Sequence, residues 1–119
     1  MALCVIVGEV VTRLAIATFT LAWTHSVERT AWQEEWRVER DRLVLTVARV
    51  EGSGAGMEPG ADAVAEDGWW RWRPDRALPS LLLARSAAVS DWSLCIEGAC
   101  LALAGPADAP GPVELRPCA

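Results

Sequence analysis

Short runs in which large apolar and polar side chains alternate recur along this chain, and helical spacing of apolar positions is weak throughout. "LCVIV" and "VVTRLAI" flank Gly8-Glu9, which reads as a tight hairpin. "TFTLAWTHSV", "WQEEWRV" and "RLVLTVARV" follow as three further strands. Residues 51–68 form the one long irregular stretch, with at most a helical turn at "GADAVAEDG". "WWRWR" reads as a short strand, "PDRALP" as a loop and "SLLLARS" as another strand. "WSLCIE" and "ACLALA" make a hairpin about Glu97-Gly98, "GPADAPGP" is a loop, and "VELRPC" closes the series. The pattern predicts one all-β domain over residues 1–119. It is an antiparallel β-sandwich or small partly open barrel of about eight or nine short strands.

Strand parity sorts the side chains around the single histidine. Phe19, Leu21, Trp23, His25 and Val27 share one face, and Trp32, Glu34, Trp36 and Val38 share one face of the next strand. A turn centred on Arg29-Thr30 sets Trp23 opposite Trp36, His25 opposite Glu34 and Val27 opposite Trp32. A slip by one residue would turn the tryptophans to water. The next turn, at Arg40-Asp41, sets Val38 opposite Leu43, Trp36 opposite Leu45 and Glu34 opposite Val47. The expectation is a His25–Glu34 pair on an otherwise apolar face, with Glu35 outward as a solvated charge. Burying such a pair is costly unless both groups are satisfied. It reads either as a register-setting structural pair, the commoner case, or as a pair open to a ligand.

Composition narrows the function. The chain has 119 residues, 52% of them hydrophobic, and seven tryptophans, enough for one core. Net charge is −5, which argues against nucleic acid and gives no attraction to an anionic membrane surface. All eleven basic residues are arginine, so lysine chemistry is excluded. The longest early apolar run is too short to span a membrane, and no positively charged leader precedes it, so a cytoplasmic location is the default, with envelope association left open.

No catalytic set is legible. Ser26 falls on the opposite face from His25, and one histidine among scattered carboxylates is not a usual zinc site. No cofactor is indicated. "GSGAGM" can cradle an anion on its backbone N–H groups or simply end a strand tightly; it is neither a Walker loop nor a dinucleotide fingerprint. "WWRWR" puts Trp69, Arg71 and Arg73 on one face and Trp70 and Trp72 on the other, a ladder able to stack on sugars or bases. Core packing with arginine laid over tryptophan is the commoner use of such a strand. Cys95 and Cys100 stand symmetrically about Glu97-Gly98 as a facing non-hydrogen-bonded pair, compatible with a cross-strand disulfide. Cys4 and Cys118 could meet if the first and last strands are neighbours. Four cysteines allow three connectivities, and spacing does not choose among them.

"HSVERTAWQEEW", "GSGAGM" and "EDGWW" together resemble the bacterial family catalogued as domain of unknown function 1850. That family's pattern is an HSV tripeptide after an aromatic strand, a glutamate nine residues after the histidine, and a central GAG. Here these are His25-Ser26-Val27, Glu34 and Gly54-Ala55-Gly56. The resemblance implies no defined activity. It implies an accessory role beside tripartite (TRAP-type, TAXI-class) solute transporters, with transporter components or a small carboxylated solute as partner. His25, Glu34, Gly54, Ala55 and Gly56 are the candidate ligand-binding residues of a non-catalytic module. A small metal- or His/Glu-dependent enzyme is the alternative from another class.

Overall fold

The computed structural model describes residues 1–25, 30–52, 62–83, 89–103 and 112–119, with the backbone alone at His25 and at 89–91. These residues are strand, turn and bend, with no helix among them. Among the described residues, twelve antiparallel strands lie in two sheets, a sandwich rather than a closed barrel.

The smaller sheet has β1 (Ala2–Val7) between β2 (Val10–Leu14) and β12 (Val113–Cys118), with β9 (Leu81–Leu83) beyond β12. The larger sheet runs in the order β11 (Ala99–Ala102), β10 (Val89–Ile96), β3 (Thr18–His25), β4 (Thr30–Val38), β5 (Leu43–Glu51), β7 (Trp69–Trp72) and β6 (Val64–Glu66). An eighth strand, β8 (Arg76–Leu78), shares the free edge of β5 with β7. The two-residue turns follow their sequences. Gly8 has positive φ at the first turn position, and Asp67-Gly68 and Glu97-Gly98 have it at both, as the favoured hairpin turns require.

The strand count exceeds the expectation because three-residue strands leave little alternation to read. "PDRALP" contains β8, which resumes pairing with β5 where Pro74 interrupts β7, so the segment is not simply a loop. Val64–Glu66, expected at most as a helical turn, is β6, held to β7 across Asp67-Gly68.

The core lies between the sheets. Leu3, Val5, Leu83, Val113 and Leu115 meet Phe19, Leu21, Trp36, Val38, Leu43, Leu45 and Leu94. Truncating one of these fully buried leucines to alanine costs about 2–5 kcal/mol.

Two irregularities set the register of the larger sheet. At the far end, Val38 faces Leu43 and Trp36 faces Leu45, as expected. The ladder then shifts, so that Glu35 faces Val47 and Glu34 faces Ala48, not Val47. Thr46 is the extra residue, and its hydroxyl donates to the Glu35 carbonyl at 3.0 Å. The second shift falls between Ser90 and Ser93 of β10, beside Trp23.

Two disulfides close the end of the sandwich farthest from Trp23. Cys4–Cys118 joins β1 to β12, and Cys95–Cys100 joins facing residues of β10 and β11. They enclose very different lengths of chain, 114 and 5 residues in sequence separation. On the chain-entropy account the long loop contributes about 5 kcal/mol and the short one about 2 kcal/mol. Urea unfolding of Cys4→Ser/Cys118→Ser and of Cys95→Ser/Cys100→Ser is therefore expected to show the larger loss in the first pair. An equal or smaller loss there would contradict this account.

Candidate functional site

The inward face of the larger sheet changes character along its strands. Near the disulfides it is sealed, with Phe19 stacked on Trp36 among buried leucines and Val38. Toward the opposite end it becomes a surface of half-buried indoles. Trp23 on β3 faces Trp32 on β4, with rings 5.8 Å apart and nearly parallel. Trp92 of β10 lies 4.7 Å from Trp23, and Trp72 of β7 meets Trp32 edge-on at 6.1 Å. These rings form one line across four strands, β10, β3, β4 and β7, bridging over β5. Trp32 has Val50 as its β5 neighbour, and Ala48 stands beside Trp72. Small and β-branched residues on β5 leave the room that the flanking indoles fill.

Glu34 sits within this face. Leu21 and Ala48 are its cross-strand neighbours, and Trp32 and Trp36 precede and follow it on the same side of β4. The Trp36 Nε1–H donates to Glu34 Oε1 at 3.2 Å. Burial pushes the Glu34 carboxyl above the ordinary glutamate range; the Trp36 hydrogen bond and the positive charge of Arg76 on β8 pull it partly back. The result is a carboxyl that holds its proton more readily than a surface glutamate, flanked along β4 by the indoles of Trp32 and Trp36 and near one guanidinium.

The expected His25–Glu34 opposition is not what forms. His25 ends β3 opposite Thr30, and Glu34 faces Leu21. Four residues of extended chain, about 13 Å, separate Thr30 from Glu34. Strand β4 begins at Thr30, where a turn was expected, so the connection is residues 26–29. Trp23 pairs with Trp32 rather than Trp36, and Phe19 pairs with Trp36. The assignment of faces survives this slip. Parity is blind to a shift by an even number, and the observed register stacks aromatic on aromatic twice.

His25, Val89 and Thr30 mark one end of the larger sheet. Glu51 and Gly52, from which the Gly54, Ala55 and Gly56 segment continues, end β5 there too. Those three residues lie outside the described residues, as does Val27. Leu103, whose N–H donates to the Trp92 carbonyl at 2.8 Å, leads into 104–111 from the same region. Glu35 is on the outer face, as expected, paired with Arg49. Sequence reasoning missed Trp36 as the partner of Glu34, although their i, i+2 spacing on a strand announces a shared face. It also missed Arg76, hidden between Pro74 and Pro79 in a stretch with too little alternation to reveal a strand. Among the described residues no group of three or more metal-ligating side chains gathers.

A family model described as "Domain of unknown function (DUF1850)" matches residues 19–103, and the chain belongs to that family. Neither a curated protein nor a solved structure matches it.

The raised proton affinity of Glu34 has a definite sign. A carboxyl whose folded-state pKa lies above its unfolded value favours folding most below the unfolded pKa. That contribution is lost as pH rises through the folded value. Glu34→Gln keeps an oxygen for the Trp36 N–H and cannot ionise. At neutral pH the variant is expected to be the more stable, with a raised Tm, and to flatten stability against pH in the weakly acid range. A lower Tm for the variant at neutral pH would contradict the burial of this carboxyl.

Proposed function

We propose that this DUF1850 chain is a single non-catalytic binding module accessory to a TRAP-type solute transporter. Its ligand in this reading is a small carboxylated solute, met at the tryptophan-lined end of the larger sheet. The observation that carries the proposal is Glu34, a carboxyl poised to hold its proton on an indole surface with Arg76 near by. A protonated carboxyl can donate a hydrogen bond to a solute carboxylate, which an ionised one would repel. Arg76 supplies the complementary charge, and the indoles cover the solute's carbon skeleton. In this reading His25 and the Gly54, Ala55 and Gly56 segment belong to the rim of the indole face and not to the Glu34–Arg76 contact, since the strands they extend end beyond the tryptophans. The transporter association rests on the family resemblance, and the chemistry of the face supports it.

The two disulfides bear on compartment. Bonds of this kind persist where the surroundings are oxidising. They support placing the module on the outer side of the cytoplasmic membrane, in place of the cytoplasmic default, where it could meet a solute before uptake.

Calorimetric titration of the oxidised protein with succinate and with glutamate tests the reading. Affinity is expected to be higher in mildly acid than in mildly alkaline buffer, because the liganded form needs the Glu34 proton. Glu34→Gln is expected to bind with little pH dependence, and Arg76→Ala to bind about ten-fold more weakly or worse. Affinity that rises with pH, or is indifferent to both substitutions, would remove Glu34 and Arg76 from the site.

A further inference from the structure

A separate cavity of about 270 Å³ opens on the other side of the larger sheet, lined by Gln33, Arg49, Glu66, Asp67, Trp69 and Arg71. It is built from two adjacent rows of outward side chains. Gln33, Arg49 and Arg71 are successive cross-strand neighbours on β4, β5 and β7. Glu51, Trp69 and Glu66 are successive neighbours one row on, across β5, β7 and β6. Asp67 enters from the β6–β7 turn.

Two arginines directly opposite each other on paired strands repel and need a reason to persist. Each is held by its own carboxylate: Arg49 Nη1 by Glu35, and Arg71 Nε by Glu66 at 3.3 Å. These contacts engage one nitrogen of each guanidinium and hold the group in place. The remaining guanidinium N–H groups stay free of those two ion pairs. Within the cavity two guanidiniums stand against the carboxylates of Glu66 and Asp67, so the lining carries no net charge. Such a wall selects neither an anion nor a cation. It offers a dense set of donors from arginine and glutamine interleaved with acceptors from glutamine, glutamate and aspartate. Ligands that use both kinds at once are polyhydroxylated, because every hydroxyl both donates and accepts.

Trp69 supplies what hydroxyls cannot. It is half-buried and, among the described residues, takes no part in the ring contacts that join Trp23, Trp32, Trp72 and Trp92. An indole presents a negative face to C–H groups, and the apolar face of a pyranose ring is a sheet of such groups. The volume suits a ligand smaller than drug size, one ring or a terminal disaccharide. A nucleobase would also stack on Trp69, but a chain of net charge −5 does not reward a phosphate backbone.

We propose that the Trp69–Arg49–Arg71 cavity is a binding site for a neutral sugar, the terminal ring of an oligosaccharide. It is independent of the Glu34 face, which lies on the opposite side of the same strands. Nitrogen-labelled protein titrated with maltose, cellobiose and chitobiose, and in parallel with a short single-stranded oligonucleotide, tests it by NMR. At least one disaccharide is expected to shift, saturably, the indole N–H signal that Trp69→Phe deletes. Trp69→Ala and Arg71→Gln are each expected to weaken binding at least ten-fold. Glu34→Gln is expected to leave it unchanged. Gln33→Ala gives a milder second probe of the same wall should Trp69→Ala not fold, with a several-fold loss expected. No saturable shift of the Trp69 signal with any of the three sugars, sugar binding untouched by Arg71→Gln and Gln33→Ala, or binding of the oligonucleotide alone would overturn the proposal.

Discussion

One extra residue in β5 decides which way much of the larger sheet faces. Before Thr46, Leu43 and Leu45 point into the sandwich with Val38 and Trp36. Without the bulge, alternation would carry Val47 and Arg49 inward and turn Ala48 and Val50 to solvent. With it, Ala48 and Val50 join the inner face, and Arg49 stands outside beside Gln33. Strand β7 inherits the choice through its pairing. Trp70 and Trp72 follow Val50 and Ala48 inward, while Arg71 follows Arg49 outward. The hydroxyl of Thr46 that holds the bulge to the Glu35 carbonyl therefore sits upstream of both the indole surface around Glu34 and the arginine-lined cavity behind it.

The molecule has two unlike ends. At one, both disulfides, the sealed leucine core and the Arg37–Glu39–Arg42 ion-pair cluster of the β4–β5 turn hold the strands together. At the other, beside the indoles, His25, Thr30, Glu51, Val89 and the Asp67-Gly68 turn mark the ends of the described strands. In the reading proposed above, the stiffened end supports a binding surface at the other, an arrangement common among β-sandwich binding domains.

Much of this was legible in the residues, for reasons that can be named. The hairpin turns at Gly8-Glu9 and Glu97-Gly98 were readable because particular backbone conformations demand particular residues. The inward set Phe19, Leu21, Trp23, Trp32, Trp36 and Val38 was readable because burial enforces a period of two. Register was half readable. Near Arg40-Asp41 a short turn leaves little freedom, and Val38–Leu43 and Trp36–Leu45 came out as expected. Between β3 and β4 the turn is longer than a tight hairpin, and parity cannot tell the observed pairing from one slid by an even number. That is why His25 was set opposite Glu34 and instead stands opposite Thr30. The bulge left no signature beyond a threonine in an otherwise apolar run of the strand. Arg76 was invisible because two prolines made its strand look like a loop.

The Cys4–Cys118 bond joins the neighbouring first and last strands and turns residues 4–118 into a covalent ring. Cleavage at any one of the connections around the indole end would open that ring without releasing a fragment. Such a molecule has no sequence position that must come first. Its strands could be rejoined across β1 and β12 and begun anew at any surface connection with the same neighbours kept. The bond that closes the ring and the indole surface thus lie at opposite ends of the sandwich, so the closure constrains the strands without touching that surface.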